Sequence, residues 1–445
     1  MEKKTKVTRK EARTHLEAFQ LSCELAKVIR HFFPQLLSLL RQVPDPRHQS
    51  YVIYENYVLL MTKILSSIFY ISSMRKTSEE FNNSQAIENI GLLCGKEELT
   101  ELPYWETIND YLKRIDAEAL QNVATELVRR LLRMRVFEDA RIKGKYWQVL
   151  LDGTQLYSSR EELPGYYLYR RHHKGTENEY KEYYYYLLEA KLVLGEKIVV
   201  SILSVFVENE DREPDKQDCE LKAAYRLMER LKKEFPHLPV CLCGDSLYAG
   251  APFMKKCKEN GFRYLLRFKE GSIPYIYGEY QEIRELEGNH EEEKVGKGTI
   301  WYDHVRGIEY EGKLVNMLEY GESWGKYNFY FITDLSVSRK DQKGLIRHGR
   351  DRWLIENQGF NEQKKQGYHL EHRYSKDYQG MKNHYYLIQI GHMIAQILEA
   401  VETIWEKQRE SKEQKHKRML EAIKTENLKE YREELSQRKQ IRLKR

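Results

Sequence analysis

Three acidic residues lie far apart in this 445-residue chain, yet each stands where a strand or helix would present it to one cleft. Asp152 follows the apolar run Tyr146–Leu151, and Asp245 follows Val240–Gly244. Short, nearly continuous apolar runs mark strands buried on both faces, and polar residues at the strand ends of an α/β sheet face the crevice where ligands bind. Glu356 lies in Arg352-Trp353-Leu354-Ile355-Glu356-Asn357, where Arg352 and Glu356 are four apart and share one helix face. A lone Asp after a strand often only opens a turn, and a lone Arg–Glu pair is often a solvated one, so the ordered set carries the reading.

Carboxylates brought together repel and raise one another's pKa, and a divalent cation reverses that effect by favouring the ionised form. Oxygen-only ligands select Mg²⁺ or Mn²⁺. Two such ions about 3.5–4 Å apart can stabilise the attacking and leaving oxygens of an in-line phosphoryl displacement. Asp152, Asp245 and Glu356 are therefore the candidate catalytic residues and the candidate ligands of two Mg²⁺ or Mn²⁺ ions. The six cysteines show no zinc spacing, and Cys241-Leu242-Cys243 places only two thiols on one strand face. Scattered thiols without a secretion signal predict a reducing, cytoplasmic setting.

The elements needed to position the acids are legible around them. Residues 1–140 predict helices over Leu16–Leu40, Tyr54–Ser72, Trp105–Ile115 and Ala117–Val136, from apolar spacings of three and four. Ser78–Glu88 is either part of a helix-turn-helix or of a packed helical bundle, and the bundle is preferred. The run Tyr57–Ile71 is interrupted by Thr62, Lys63, Ser66 and Ser67, which predicts a buried helix rather than a membrane span. From residue 145 the pattern changes to strands: Tyr146–Leu151, Tyr183–Leu194 and Lys197–Val207, the last two joined by a Gly195-Glu196 turn. A helix over Asp218–Phe235, a strand at Val240–Cys243, a helix over Pro252–Asn260 closed by Gly261, and a strand at Arg263–Phe268 complete the series.

That order predicts a ribonuclease-H-like α/β fold with a mixed sheet, spanning 141–270 as the first part of a catalytic core. Residues 271–338 predict an inserted β-rich subdomain, with strands at Gly298–Asp303, Lys313–Glu319 and Tyr327–Thr333. Residues 339–406 return to helix, over Leu345–Gln366 and Asn383–Trp405, and 407–445 form a basic helical tail.

Net charge is +6, unevenly spread: residues 1–14 carry +4 and residues 407–445 carry +7, leaving an acidic body of −5. Basic ends on an acidic body predict arms that meet phosphate, with a solvated helical tail as the plain alternative. The 33 tyrosines suit wet interfaces, nucleic acid among them, although biased host composition explains them equally.

The strand–Asp152-Gly153-Thr154 element, the strand–Gly244-Asp245 element and the R-W-L-I-E-N helix together resemble the catalytic core of the cut-and-paste DDE transposases of bacterial insertion sequences. The resemblance covers roughly residues 145–395 and includes the 111-residue separation of Asp245 and Glu356, where that family places a β insertion. The stretch Leu102–Asp116 is similar to the helical region that precedes the core in related proteins. The family's signature around the third acid is Tyr, two residues, Arg, three residues, Glu, six residues, Lys. Arg352 and Glu356 match it, whereas Gly349 and Gln363 stand at the Tyr and Lys positions. Lys364 and Lys365 lie beside the latter, and Lys364 takes the phosphate role only if the helix is irregular near Gly359, because eight residues rotate it by about 80°.

The resemblance implies a sequence-specific bacterial transposase. Such an enzyme binds terminal inverted repeats, cleaves there and joins the 3′ ends to target DNA, as a homodimer or larger assembly. It implies that Arg352 contacts the DNA backbone and that Trp353 packs in the core or stacks. Beyond the motif, Lys364, Lys365, His372 and Arg373 are candidate DNA contacts. So are Arg170 and Arg171, in a basic loop with His172, His173 and Lys174. End recognition falls to residues 1–140, and the basic tail adds salt-sensitive affinity. Rival readings are a metal-dependent nuclease of the same fold and a catalytically silent DNA-binding relative. No membrane partner is expected.

Overall fold

The computed structural model describes residues 21–209, 211, 214, 216–401, 410–437 and 441–443. The chain divides into two compact units, one of residues 135–360 and one of residues 1–134 together with 361–445.

The helical unit begins with α1 (Leu21–Phe32), α2 (Leu36–Gln42), α3 (Asn56–Ile68), α4 (Met74–Phe81), α5 (Ser84–Cys94), α6 (Trp105–Leu112) and α7 (Ala117–Leu132). The expected helix Leu16–Leu40 starts outside the described residues and is split at Pro34, because the residue before a proline is pushed away from helix. Every residue of α3 is buried, Thr62, Lys63, Ser66 and Ser67 included. The hydroxyls of Thr62, Ser66 and Ser67 donate back to carbonyls within the helix, so burying them leaves no donor stranded. Ser78–Glu88 spans the end of α4, a two-residue link and the start of α5, whose N-terminus is capped by Asn83. Among the described residues no helix is long and apolar enough to cross a membrane.

The second unit is built on one ten-stranded mixed sheet. Its strands are β1 (Trp147–Ser159), β2 (Leu168–His172), β3 (Tyr180–Gly195), β4 (Ile198–Val207), β5 (Val240–Gly244), β6 (Arg263–Phe268), β7 (Glu291–Val295), β8 (Gly298–Tyr310), β9 (Lys313–Glu322) and β10 (Phe329–Thr333). β1, β5 and β6 run parallel, and β3 is antiparallel to both β1 and β4. The order β4-β3-β1-β5-β6 is ribonuclease-H-like, as the sequence predicts. α8 (Glu220–Glu234) follows β4 and buries Ala223, Ala224, Leu227, Met228 and Leu231, a stripe at helical spacing. α9 (Ala251–Glu259) joins β5 to β6 and ends at Asn260, after which Gly261 turns at φ +72°.

Three features depart from expectation. The inserted strands are not a separate layer: β10 pairs antiparallel with β6, so β10-β9-β8-β7 extend the same sheet. The insertion opens with a helix, α10 (Pro274–Glu287), where the sequence predicts no element; Pro274 pre-sets its first turn and Gly288 ends it at φ +59°. The helix expected over Leu345–Gln366 is interrupted. α11 (Gln342–Arg350) stops, two residues form a turn, and the chain then winds into a π-helical turn at Ile355–Phe360. The irregularity that the Lys364 argument requires near Gly359 is thus present.

The helical unit resumes with α12 (Asn361–Lys365), α13 (Tyr378–Ala400), α14 (Lys412–Thr425) and α15 (Arg432–Ser436). The described part of the basic tail is therefore not a free arm. His416, Met419, Ile423 and Leu428 are buried, and Asn89 donates to the carbonyls of Ile423 and Glu426. Its cations are largely taken up within the unit: Lys424 pairs with Glu80, Lys429 with Glu88, Arg432 with Glu97, and Lys412 with Glu362 and Glu399.

Candidate active site

Asp152 stands where β1 leaves the interior: the five residues before it are buried and it is the first partly exposed one. Asp245 follows the last residue of the fully buried β5 and accepts from the Leu247 amide at 2.8 Å, a turn that aims its carboxylate out of the sheet end. β1 and β5 are parallel neighbours, so both acids emerge at the same end of the sheet. Glu356 lies in the π-helical turn. Arg352, one turn earlier, holds its Nη1 2.7 Å from Glu356 Oε1 and 3.6 Å from Asp152 Oδ2.

A fourth carboxylate belongs to this group. Glu220, the first residue of α8, accepts from the hydroxyls of Tyr186 and Tyr248. Two glycines make room for it. A Cβ on Gly153 would lie 2.2 Å from Glu220 Oε2 and 2.1 Å from the Tyr186 hydroxyl, and one on Gly244 would lie 2.5 Å from the Tyr248 ring. The Gly in Asp152-Gly153 and in Gly244-Asp245 is thus explained by close approach of other groups to the strand ends. Sequence reading missed Glu220 because an acid in the first turn of a helix reads as an ordinary partner of the helix dipole.

These charges act on one another. Burial pushes the Asp152 carboxyl up to about 7; Arg352 opposes that shift, and Glu220, Glu356 and Asp245 add to it. Four acids therefore share one field, with one guanidinium among them. Among the described residues, no three acidic, histidine or cysteine side chains are gathered closely enough to hold an ion as they stand, and Arg352 sits between two of the candidates. By donor chemistry the set fits a hard divalent cation: every donor is a carboxylate oxygen, and the crowding that raises Asp152 is what such a cation relieves.

The remaining candidates are distributed as follows. Trp353 is 49% exposed, against the core-packing expectation, and Arg352 stacks on its ring with 5.0 Å to the centroid. Gly349, at the signature's Tyr position, has no space for a ring: its Cβ would lie 2.6 Å from Phe331. Arg170 and Arg171 lie on β2 rather than in a loop. Arg170 is 3.1 Å and His172 2.8 Å from Glu182, and Arg171 is 3.8 Å from Glu179, so strand neighbours already engage that basic stretch. Lys364, Lys365, His372 and Arg373 belong to the helical unit, where Lys364 is 4.0 Å from Glu371. Gln363, at the signature's Lys position, is fully buried and bonded to Gln389 and His392. Cys241 and Cys243 are buried in the core beside Leu150 and Leu265.

No curated protein matches the chain. Among solved structures, the piggyBac transposase in a synaptic complex with hairpin DNA is similar at 12% identity and a TM-score of 0.39, over 94% of this chain and 82% of that one. Residues 205–394, the stretch that carries Asp245, Arg352 and Glu356 but begins after Asp152, match the family described as the transposase DDE domain, which supports a transposase of the DDE type.

Proposed function

We propose that the chain is a metal-dependent transposase that cleaves DNA at the ends of its element and joins the freed 3′-hydroxyls to target DNA. The observation that carries this reading is the placement of Arg352 between Asp152 and Glu356, with Asp245 at the same sheet end and in the same field. In this reading Asp152, Asp245 and Glu356 hold two Mg²⁺ or Mn²⁺ ions. When bound, those ions activate the attacking water or 3′-hydroxyl and stabilise the leaving oxygen.

The protein's own groups position and neutralise. Arg352 screens Asp152 and Glu356 in the metal-free protein, and its guanidinium carries the paired N–H donors that suit a phosphate. Glu220 fixes the hydroxyls of Tyr186 and Tyr248 beside Gly153, the residue after Asp152. Trp353, Arg170, Arg171, Lys364, Lys365, His372 and Arg373 are assigned to DNA, and the active form to a homodimer or larger assembly on paired ends.

The test is a strand-transfer assay with precleaved ends in Mg²⁺, Mn²⁺ or chelator, using the parent protein and Asp245→Asn. Metal-dependent joined product, absent in the variant, supports the reading. Hydrolysis without joining replaces it with a nuclease, and inactivity of the parent replaces it with a DNA-binding protein.

A further inference from the structure

The helical unit carries a charge imbalance of its own. An open groove of about 600 Å³ runs between α1, α7 and the tail, and every residue that lines it belongs to this unit. α1 supplies Lys27, Arg30 and His31, spaced three and four apart and so on one helix face. α7 supplies Arg130 from its last turn, and the tail supplies the opposite wall around Glu434 and Leu435.

The single acid of the groove is already committed. Glu434 is 2.8 Å from the Lys27 ammonium, which also lies 2.6 Å from Glu24. Those two carboxylates account for Lys27 and leave the other cations unmatched. Arg30 donates one nitrogen to the Leu435 carbonyl at 3.2 Å, a contact that holds the tail without neutralising the guanidinium. Arg130 Nε is shut off from solvent and has no hydrogen-bond partner. Among the described residues no carboxylate pairs with Arg30, His31 or Arg130. Burial, and after it the charge of Arg130, hold the His31 imidazole below its ordinary pKa. A solvated basic surface explains Arg30 but not Arg130, because a buried donor without an acceptor is costly.

We infer that the groove binds a small phosphorylated molecule, its phosphomonoester between Arg30, His31 and Arg130 and its organic body along Pro34, Leu435 and Ile441. Two guanidiniums present the paired N–H donors that match phosphate oxygens. The volume calls for a body: about 600 Å³ lies within the roughly 300–1,000 Å³ of small-molecule sites and far exceeds one phosphate. Arg30 already holds Leu435 of α15, so the ligand ties α1 and α7 to the tail. Nothing in this inference depends on the transposase reading.

The experiment is calorimetric titration of the full chain with ribose phosphate, in chelator and without DNA. The comparisons are ribose, inorganic phosphate and sulfate at matched ionic strength. Ribose phosphate should bind saturably and more tightly than either inorganic anion, and ribose should give no heat. Arg130→Gln and Arg30→Gln should each weaken it by about tenfold or more, the loss of one charge-assisted bond. Lys417→Gln, which changes an exposed lysine of the same unit paired with Glu413, should bind as the parent does. Saturation should slow amide exchange in α15 of the parent and not of Arg130→Gln. Absence of saturable binding, affinity no better than that of phosphate or sulfate, or parental affinity in both arginine variants overturns the inference. A short DNA duplex that displaces ribose phosphate and is itself weakened by the same substitutions overturns the small-molecule assignment. The two readings fail separately: a chain inert in strand transfer leaves this site standing, and one that joins DNA but ignores ribose phosphate loses this site alone.

Discussion

Arg352 donates to Glu356 at 2.7 Å, from one turn earlier in the same segment, so the third acid carries its own counter-charge. A guanidinium and a divalent ion compete for one carboxylate. Arg352→Gln should therefore bind Mn²⁺ more tightly in calorimetry, by about tenfold, given the roughly 1.5–3 kcal/mol of a bond to a charged group. The same variant should cleave DNA about 10²–10³-fold more slowly, the usual cost of losing a donor to developing phosphoryl charge. Unchanged Mn²⁺ affinity would mean that Arg352 does not compete for the acids.

The raised pKa of Asp152 has a sign that thermal unfolding can read. In the metal-free fold its carboxyl holds a proton up to about 7, against an ordinary value of 3.8. Within that window the folded state binds more protons than the unfolded state, so stability falls as pH rises. Asp152→Asn removes the ionisation. Its Tm should change less across the window than the parent's and exceed the parent's at the upper end. Added Mn²⁺ should raise the parent's Tm at the upper end and leave the variant nearly unmoved.

Gly153→Ala tests why the residue after Asp152 is glycine. A methyl there meets Glu220 Oε2 at 2.2 Å and the Tyr186 hydroxyl at 2.1 Å, so one of them must move. Overpacking of this kind costs about 1–3 kcal/mol, measurable by urea unfolding. Tyr186→Phe in the same chain removes the nearer oxygen and should recover part of the loss. If the double variant is no better than the single one, the crowding has another source.

How much of this was legible depends on how local the signal is. β6 was read end to end at Arg263–Phe268, because a short apolar run bounded by glycine and charge has few other interpretations. The placement of Asp152 and Asp245 at strand ends was legible because the apolar runs stop at them, and the Arg352–Glu356 pairing because the two are four residues apart. The π-helical turn was hidden, since hydrophobic spacing does not report the winding of the backbone. α10 was hidden because only Ile276 and Tyr280 of its fourteen residues are buried, too few to set a period. The tail read as a basic arm because its acidic partners, Glu80, Glu88 and Glu97, lie more than three hundred residues away.

That folded tail makes its own prediction. Asn89 is fully buried; its amide donates to Ile423 and Glu426 carbonyls at 2.9 and 2.6 Å, and its Oδ1 accepts from the Leu428 amide at 3.0 Å. Asn89→Ala strands buried backbone groups, at about 1–3 kcal/mol for each group left unsatisfied. Hydrogen exchange should show amides of α14 and of α5 losing protection together. Protection lost in α14 alone would mean that the tail is docked too weakly to support the rest of the unit.

The last prediction concerns a buried ion pair beside the π-helical turn that carries Glu356. Glu189 and Lys191 on β3 are both wholly inaccessible, with Nζ 3.0 Å from Oε1. Glu189 pairs in register with Asp152, and Lys191 lies beneath the π-helical turn, its Cε 2.6 Å from where a Cβ on Gly359 would stand. Lys191→Met fills similar space but leaves a buried carboxylate without its cation, which should cost about 3–5 kcal/mol, whereas Glu189→Leu/Lys191→Met should be near neutral or stabilising. Both are read by urea unfolding. The double variant then separates stability from positioning. If the pair serves only the fold, its Mn²⁺ affinity and cleavage rate should equal the parent's. If the ammonium stem sets the π-helical turn, Mn²⁺ binding should weaken in a protein as stable as the parent, and Gly359→Ala, which pushes on the same stem, should weaken it in the same direction.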